Sequence, residues 1–163
     1  MKQFVKRGTI LKASLEDGTV RFFQFVGQDS SDLNGDVIRI FARHYDGATS
    51  VAATDIVNDA VECYMHTIVS VGLELGLWEQ YADIADVGNL DIYFRTSEDF
   101  MSAPGPSFVS HKWVVWKMNG ERNFVGTLPV EYRSADLGGV YAPKHVLYRL
   151  STGQIPDKFY PGY

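Results

Sequence analysis

Residues 22–45 read FFQFVGQDSSDLNGDVIRIFARHY. Both ends of this stretch are rich in Phe, Val and Ile, which fit a pleated, half-buried surface. Its centre, residues 28–35, is built of Asp, Ser, Asn and Gly. Asp and Asn side chains bond nearby backbone N–H groups, and Gly35 supplies a permissive conformer, so this centre reads as a turn. A strand before it and a third strand over 36–45 follow.

Working outward, apolar runs at 8–14 and 19–27 flank Asp17-Gly18, a favoured pair for a tight hairpin. A second hairpin is expected from 111–118 and 123–128 about Asn119-Gly120. Residues 90–95 read as a strand and 77–81 as a short one. Pro143 suits the first turn of a helix over 143–150, and Gly153 suits its C-cap. Residues 55–71 are ambiguous. Apolar pairs recur every four residues, as on a helix face, but the composition of VECYMHTIVSV favours a strand. A short helical turn near 54–59 and a strand over 61–71 is the reading adopted. The fold class expected is α+β, in a single domain over residues 1–163. It has a bent, mainly antiparallel sheet, open or partly closed into a barrel, and one or two short helices.

The formal net charge of −5 conceals a division. Residues 16–99 hold 16 Asp/Glu and 4 Lys/Arg, a net of −12, while the remainder of the chain carries +7. A face this acidic repels itself, and a basic partner would offset the repulsion and be steered toward it. The densest loop-like acids are Asp83, Asp86 and Asp91, then Glu98 and Asp99. These are the expected contacts, with Asp29 and Asp32 as a second patch and Trp78 as a desolvated aromatic anchor.

Other chemistries find less support. Asp29, Asp32 and Asp36 do not have the spacing of a calcium loop. Cys63 is the sole cysteine, so no intramolecular disulfide is possible, and Cys63-x-x-His66 falls short of a zinc ligand set. A small hydrolase or transferase using Cys63 or His66 is an alternative. On a strand, however, residues three apart point to opposite faces. The glycines match no phosphate-cradling pattern, and no cofactor is called for. A nucleic-acid-binding barrel needs a basic groove. The basic residues here (Lys2, Lys6, Arg7 and Lys12, then Lys112, Lys117 and Arg122) lie toward the two ends of an acidic chain. No apolar run approaches the length of a membrane helix, and the N-terminal residues do not read as a signal peptide, so a reducing cytoplasmic setting is expected.

The stretches RGTILKASLEDG, residues 22–45, YMHTIVSVGLELGLWEQY, SHKWVVWKMNGERNFVGTLP and FYPGY together resemble the immunity proteins of bacterial polymorphic-toxin and contact-dependent inhibition systems, specifically immunity protein family twenty-six. The resemblance spans nearly the whole chain. It implies neutralisation of a cognate toxin domain by tight binding in the cytoplasm of the producing cell, with no catalytic residues to carry over and no contact residues fixed by a motif. An acidic inhibitor suits a nuclease-type toxin, whose own surface must be basic to hold phosphates.

Overall fold

A computed structural model describes residues 4–156 and 160–163, so Lys2 and Phe159 lie outside the described residues. The chain first builds a sheet from β1 (Thr9–Ser14), β2 (Thr19–Asp29), β3 (Gly35–Phe41), β4 (Tyr45–Asp46), β5 (Val61–Thr67) and β6 (Glu79–Asp83). Its order is β5-β3-β2-β1-β6, with β4 also on β2, and every pairing is antiparallel. The second sheet comprises β7 (Tyr93–Ser97), β8 (Trp113–Lys117), β9 (Asn123–Gly126) and β10 (Asp136–Leu137), ordered β10-β7-β8-β9. Only β10 runs parallel to its neighbour there. Among the described residues three α-helices complete the α+β fold: α1 (Ala53–Val57), α2 (Val69–Glu74) and α3 (Pro143–Thr152).

Alternation along β2 and β3 assigns side chains to faces. Phe23, Phe25, Ile38 and Ile40 join Leu11, Met65 and Cys63 under α2 and α3, where Val69, Leu73, Val146 and Leu150 close the layer. On the opposite face Phe22, Val20 and Phe41 pack beneath Ile56 of α1. Farther along that face Val26 and Val37 meet Phe94, Trp116 and Met118 of the second sheet. The outer face of the second sheet buries Trp113 and Val115 beneath Leu128, Tyr132 and Tyr160.

The strand expected over 61–71 stops at Thr67. The Asp36 carboxylate accepts the Val69 N–H at 2.8 Å, satisfying a donor at the start of α2 and turning the chain into a helix. The Asp17-Gly18 and Asn119-Gly120 hairpins form as read, with Gly18 and Asn119 in the left-handed region at φ 84° and 62°. Gly153 caps α3 at φ 71°. The expected α+β class with mainly antiparallel strands is found; the strands divide between two sheets, and of the two forms expected the described residues take the open one.

Gly72 shows how tightly the helical layer packs. A Cβ there would lie 1.9 Å from Cζ2 of Trp78, whose indole donates to the Val69 carbonyl at 3.0 Å. Gly72→Ala should lower unfolding stability by about 3 kcal/mol, the upper range for an overpacked core. Urea denaturation measures this, and an unchanged midpoint would mean that Trp78 does not seat on Gly72.

Candidate functional site

Asp29 closes β2 with no exposed surface. Its Oδ1 accepts the N–H groups of Ser31 at 3.0 Å and Asn119 at 2.9 Å. Its Oδ2 accepts the indole N–H of Trp116 at 2.9 Å and faces His66 Nε2 at the same distance. A carboxylate only accepts, so the imidazole donates there. Burial pushes the Asp29 carboxyl up, but the donors from Asn119, His66, Trp116 and Ser31 outweigh it and hold the group below the usual carboxylate range. On the other side of the imidazole, Nδ1 lies 3.5 Å from Asp32 Oδ2. Arg122 covers the cluster. It stacks on Trp116 with its guanidinium carbon 4.1 Å from the ring centre and donates to the Ser31 carbonyl at 2.9 Å.

Asp29 and Asp32 therefore cannot form the second contact patch read from the sequence, because both are buried. Trp78 cannot serve as the exposed anchor for the same reason, being held against Phe23 and Gly72. The β2–β3 turn instead displays Leu33. Its φ is 55° and that of Asn34 is 53°, and Leu33 is 87% exposed. The left-handed residues are thus Leu33 and Asn34, and Gly35 is needed for space. A Cβ at Gly35 would come within 2.8 Å of Val140. A bulky residue held at positive φ is a strained arrangement of a kind that clusters at functional sites. Leu33 borders a groove of about 580 Å³ lined also by Phe4, Val5, Phe25, Ile68 and Val140.

The end of β6 and the chain connecting it to β7 carry three of the expected acids that reach solvent. Asp83, Asp86 and Asp91 are all exposed. Asp83 accepts from Thr9 Oγ1 at 2.8 Å and pairs with Lys6 at 3.2 Å, while Asp91 pairs with Lys117. Two buried polar residues hold the backbone beneath them. Gln24 donates to the carbonyls of Gly8, Ile84 and Asp86 at 3.0–3.1 Å. Arg39 donates to Gln24 at 2.8 Å and to the Asp86 carbonyl at 3.0 Å. A Cβ on Gly88 would come within 2.3 Å of the Arg39 guanidinium. The run of residues 4–8 joins this segment to the groove. Phe4 and Val5 line the groove, Lys6 pairs with Asp83, and Gly8 accepts the Ile84 N–H at 3.1 Å.

Glu98 and Asp99 lie apart, just past the far end of β7. Five strand residues span about 16 Å, which separates them from Asp91. Asp99 is half-buried and accepts from Ser110 Oγ at 2.7 Å, and Glu98 is exposed. Cys63 and His66 point to opposite sides of β5, the thiol into the helical layer and the imidazole toward Phe94 and Trp116. Burial pushes the Cys63 thiol up to about 12, which keeps it from acting as a thiolate nucleophile. Among the described residues no group of three or more His, Cys, Asp or Glu is placed to hold a metal ion, and no helix is long and apolar enough to cross a membrane.

Sequence reasoning missed the Leu33 groove and the Gln24–Arg39 clamp. The clamp did leave a signal, since Arg39 interrupts Val37-Ile38-Arg39-Ile40-Phe41 at a position flanked on its own face by Val37 and Phe41. No protein-family model, curated protein or solved structure matches the chain.

The Asp29 carboxylate should govern acid stability. Because its folded-state titration lies below the usual value of 3.8, it stabilises the protein at neutral pH, and that contribution is lost as pH falls through the folded value. Asp29→Asn should cost about 3–5 kcal/mol at neutral pH, since it puts an amide among four donors. The deficit should shrink below pH 3.8. Urea unfolding of both proteins across that range measures it, and a constant deficit would assign the loss to packing instead of charge.

Proposed function

We propose that the chain is an immunity-type binding protein that neutralises a cognate, basic toxin domain in the cytoplasm. The carrying observation is the acidic segment over residues 83–91, whose backbone is fixed from below by buried Gln24 and Arg39. A preorganised segment loses little freedom when a partner arrives, so its charges convert efficiently into association. The adjoining groove supplies what charge alone lacks. Phe4, Leu33 and Ile68 are exposed beside it, at 84%, 87% and 47%. A contact surface with apolar anchors and an acidic flank suits a partner whose face mixes apolar and basic side chains. The family resemblance supports the same reading. The test is co-expression with the C-terminal domain of an exported protein encoded beside this chain. Restored growth supports the reading, and a neighbourhood of metabolic enzymes with no toxic product opposes it.

Two variants examine the surface itself. Asp83→Lys with Asp86→Lys should slow association about tenfold at low salt, with the difference closing as salt rises. Stopped-flow mixing reads the rate, and an unchanged rate and salt dependence would place the interface elsewhere. Leu33→Gly should weaken binding by about 2 kcal/mol while leaving unfolding stability equal or higher, because glycine takes the left-handed conformation without strain. Calorimetric affinity unchanged by this variant would remove Leu33 from the contact.

A further inference from the structure

A second cleft, of about 440 Å³, opens where the acidic segment enters β7. Tyr64, Tyr93 and Tyr132 supply its aromatic walls, and Asp91, Glu131 and Asp136 its carboxyl groups. The rings of Tyr93 and Tyr132 stand 5.8 Å apart between centroids and are inclined by 47°, forming an open V. None of the three phenol hydroxyls has a hydrogen-bond partner among the described residues. No Lys or Arg lines the cleft. Lys117 pairs with Asp91 at the rim and lies near Tyr93, Arg39 acts on Tyr64, and Arg95 and Arg149 act on Asp136. Glu131 is exposed and enters no ion pair among the described residues.

We infer that this cleft receives the guanidinium group of an arginine on the bound partner. The inference rests on the binding function proposed above and assigns a subsite within it. Tyrosine faces attract a cation through the ring quadrupole, and a planar guanidinium stacks on such faces better than an ammonium does. Glu131 can bind the same group with two parallel hydrogen bonds. An apolar occupant would instead desolvate carboxyl groups without pairing them, and an anion would meet three of them. Asp136 already feels this cost. Burial pushes its carboxyl up, against the lowering effects of the Tyr64 N–H, Arg149 and Arg95. An arriving cation would favour its charged form. Asp91 belongs both to this cleft and to the acidic segment, so one partner surface can reach the two together.

The probe is N-acetyl-arginine amide, with the uncharged citrulline analogue as control, titrated into the whole protein and followed by NMR. The arginine compound should shift the resonances of Tyr64, Tyr93, Tyr132 and Glu131 saturably, and the citrulline compound should bind at least about tenfold more weakly. Glu131→Gln and Tyr93→Ala, both at exposed positions, should each weaken the arginine compound about fivefold. Equal responses to the two compounds, or shifts spread evenly over the surface acids, would overturn the inference. A protective toxin partner whose affinity ignores both variants would also overturn it while leaving the proposed function intact. Saturation at the cleft without any toxin partner would keep the cation site and remove both the proposed function and the partner assignment.

Discussion

A buried carboxylate ties the two sheets together at the end of β2. Asp29 belongs to the first sheet, yet two of its four donors, Trp116 and Asn119, come from β8 and the turn that follows it, and a third, His66, comes from β5. An ionised group with no exposed surface costs several kcal/mol to desolvate and is tolerated only where donors surround it. Here those donors come from three separate stretches of chain. Moving any of the three stretches exposes that penalty, and removing the charge leaves buried donors short of an acceptor. The bond therefore sets the register between the sheets as well as holding them together, which apolar contact among Val26, Val37, Phe94 and Trp116 does not do alone.

The same constraint produces the display of Leu33. The five residues from Asp29 to Leu33 must leave a fixed carboxylate, place Asp32 against His66 and lead back to β3 at Gly35. The chain meets that geometry by taking two successive left-handed residues, neither of them glycine. The cost is carried by the hub, and the outcome is a large apolar side chain standing in solvent next to a groove. The acidic segment is handled by a parallel device. Arg39 and Gln24 are polar groups buried in the first sheet whose donors are spent on the carbonyls of an external connection. Both exposed elements are thus rigid because of buried polar chemistry, not because of burial of their own side chains.

Much of the fold was legible in the chain. The Asp17-Gly18 and Asn119-Gly120 turns, the run of strands through residue 41 and the helix from Pro143 capped by Gly153 follow local rules that tertiary contacts did not override. Residues 55–71 were harder, since their helical spacing and strand composition were both real. The chain uses both, and the point of change is set by Asp36, thirty-three residues away. The division into two sheets, and the parallel β10, depend on such long-range partners and leave no periodic trace. The acidic window was visible, but position along the chain could not separate its members.

That separation changes what the acidity means. Asp29 and Asp36 spend their charge on internal donors, and Glu62 is bracketed by Arg21 and Arg149 at 3.4 and 3.3 Å. Asp83 and Asp91 remain exposed but are partly neutralised by Lys6 and Lys117. A net of −12 over residues 16–99 therefore overstates the field a partner meets. Screening over about 10 Å at ordinary salt reduces it further, so distant acids such as Glu98 add little at residues 83–91. Long-range attraction can set how fast a partner arrives, but affinity must come from desolvated contacts of fixed geometry. On this molecule such contacts are offered by the Leu33 groove and the tyrosine-walled cleft, and the acidic segment lies between them.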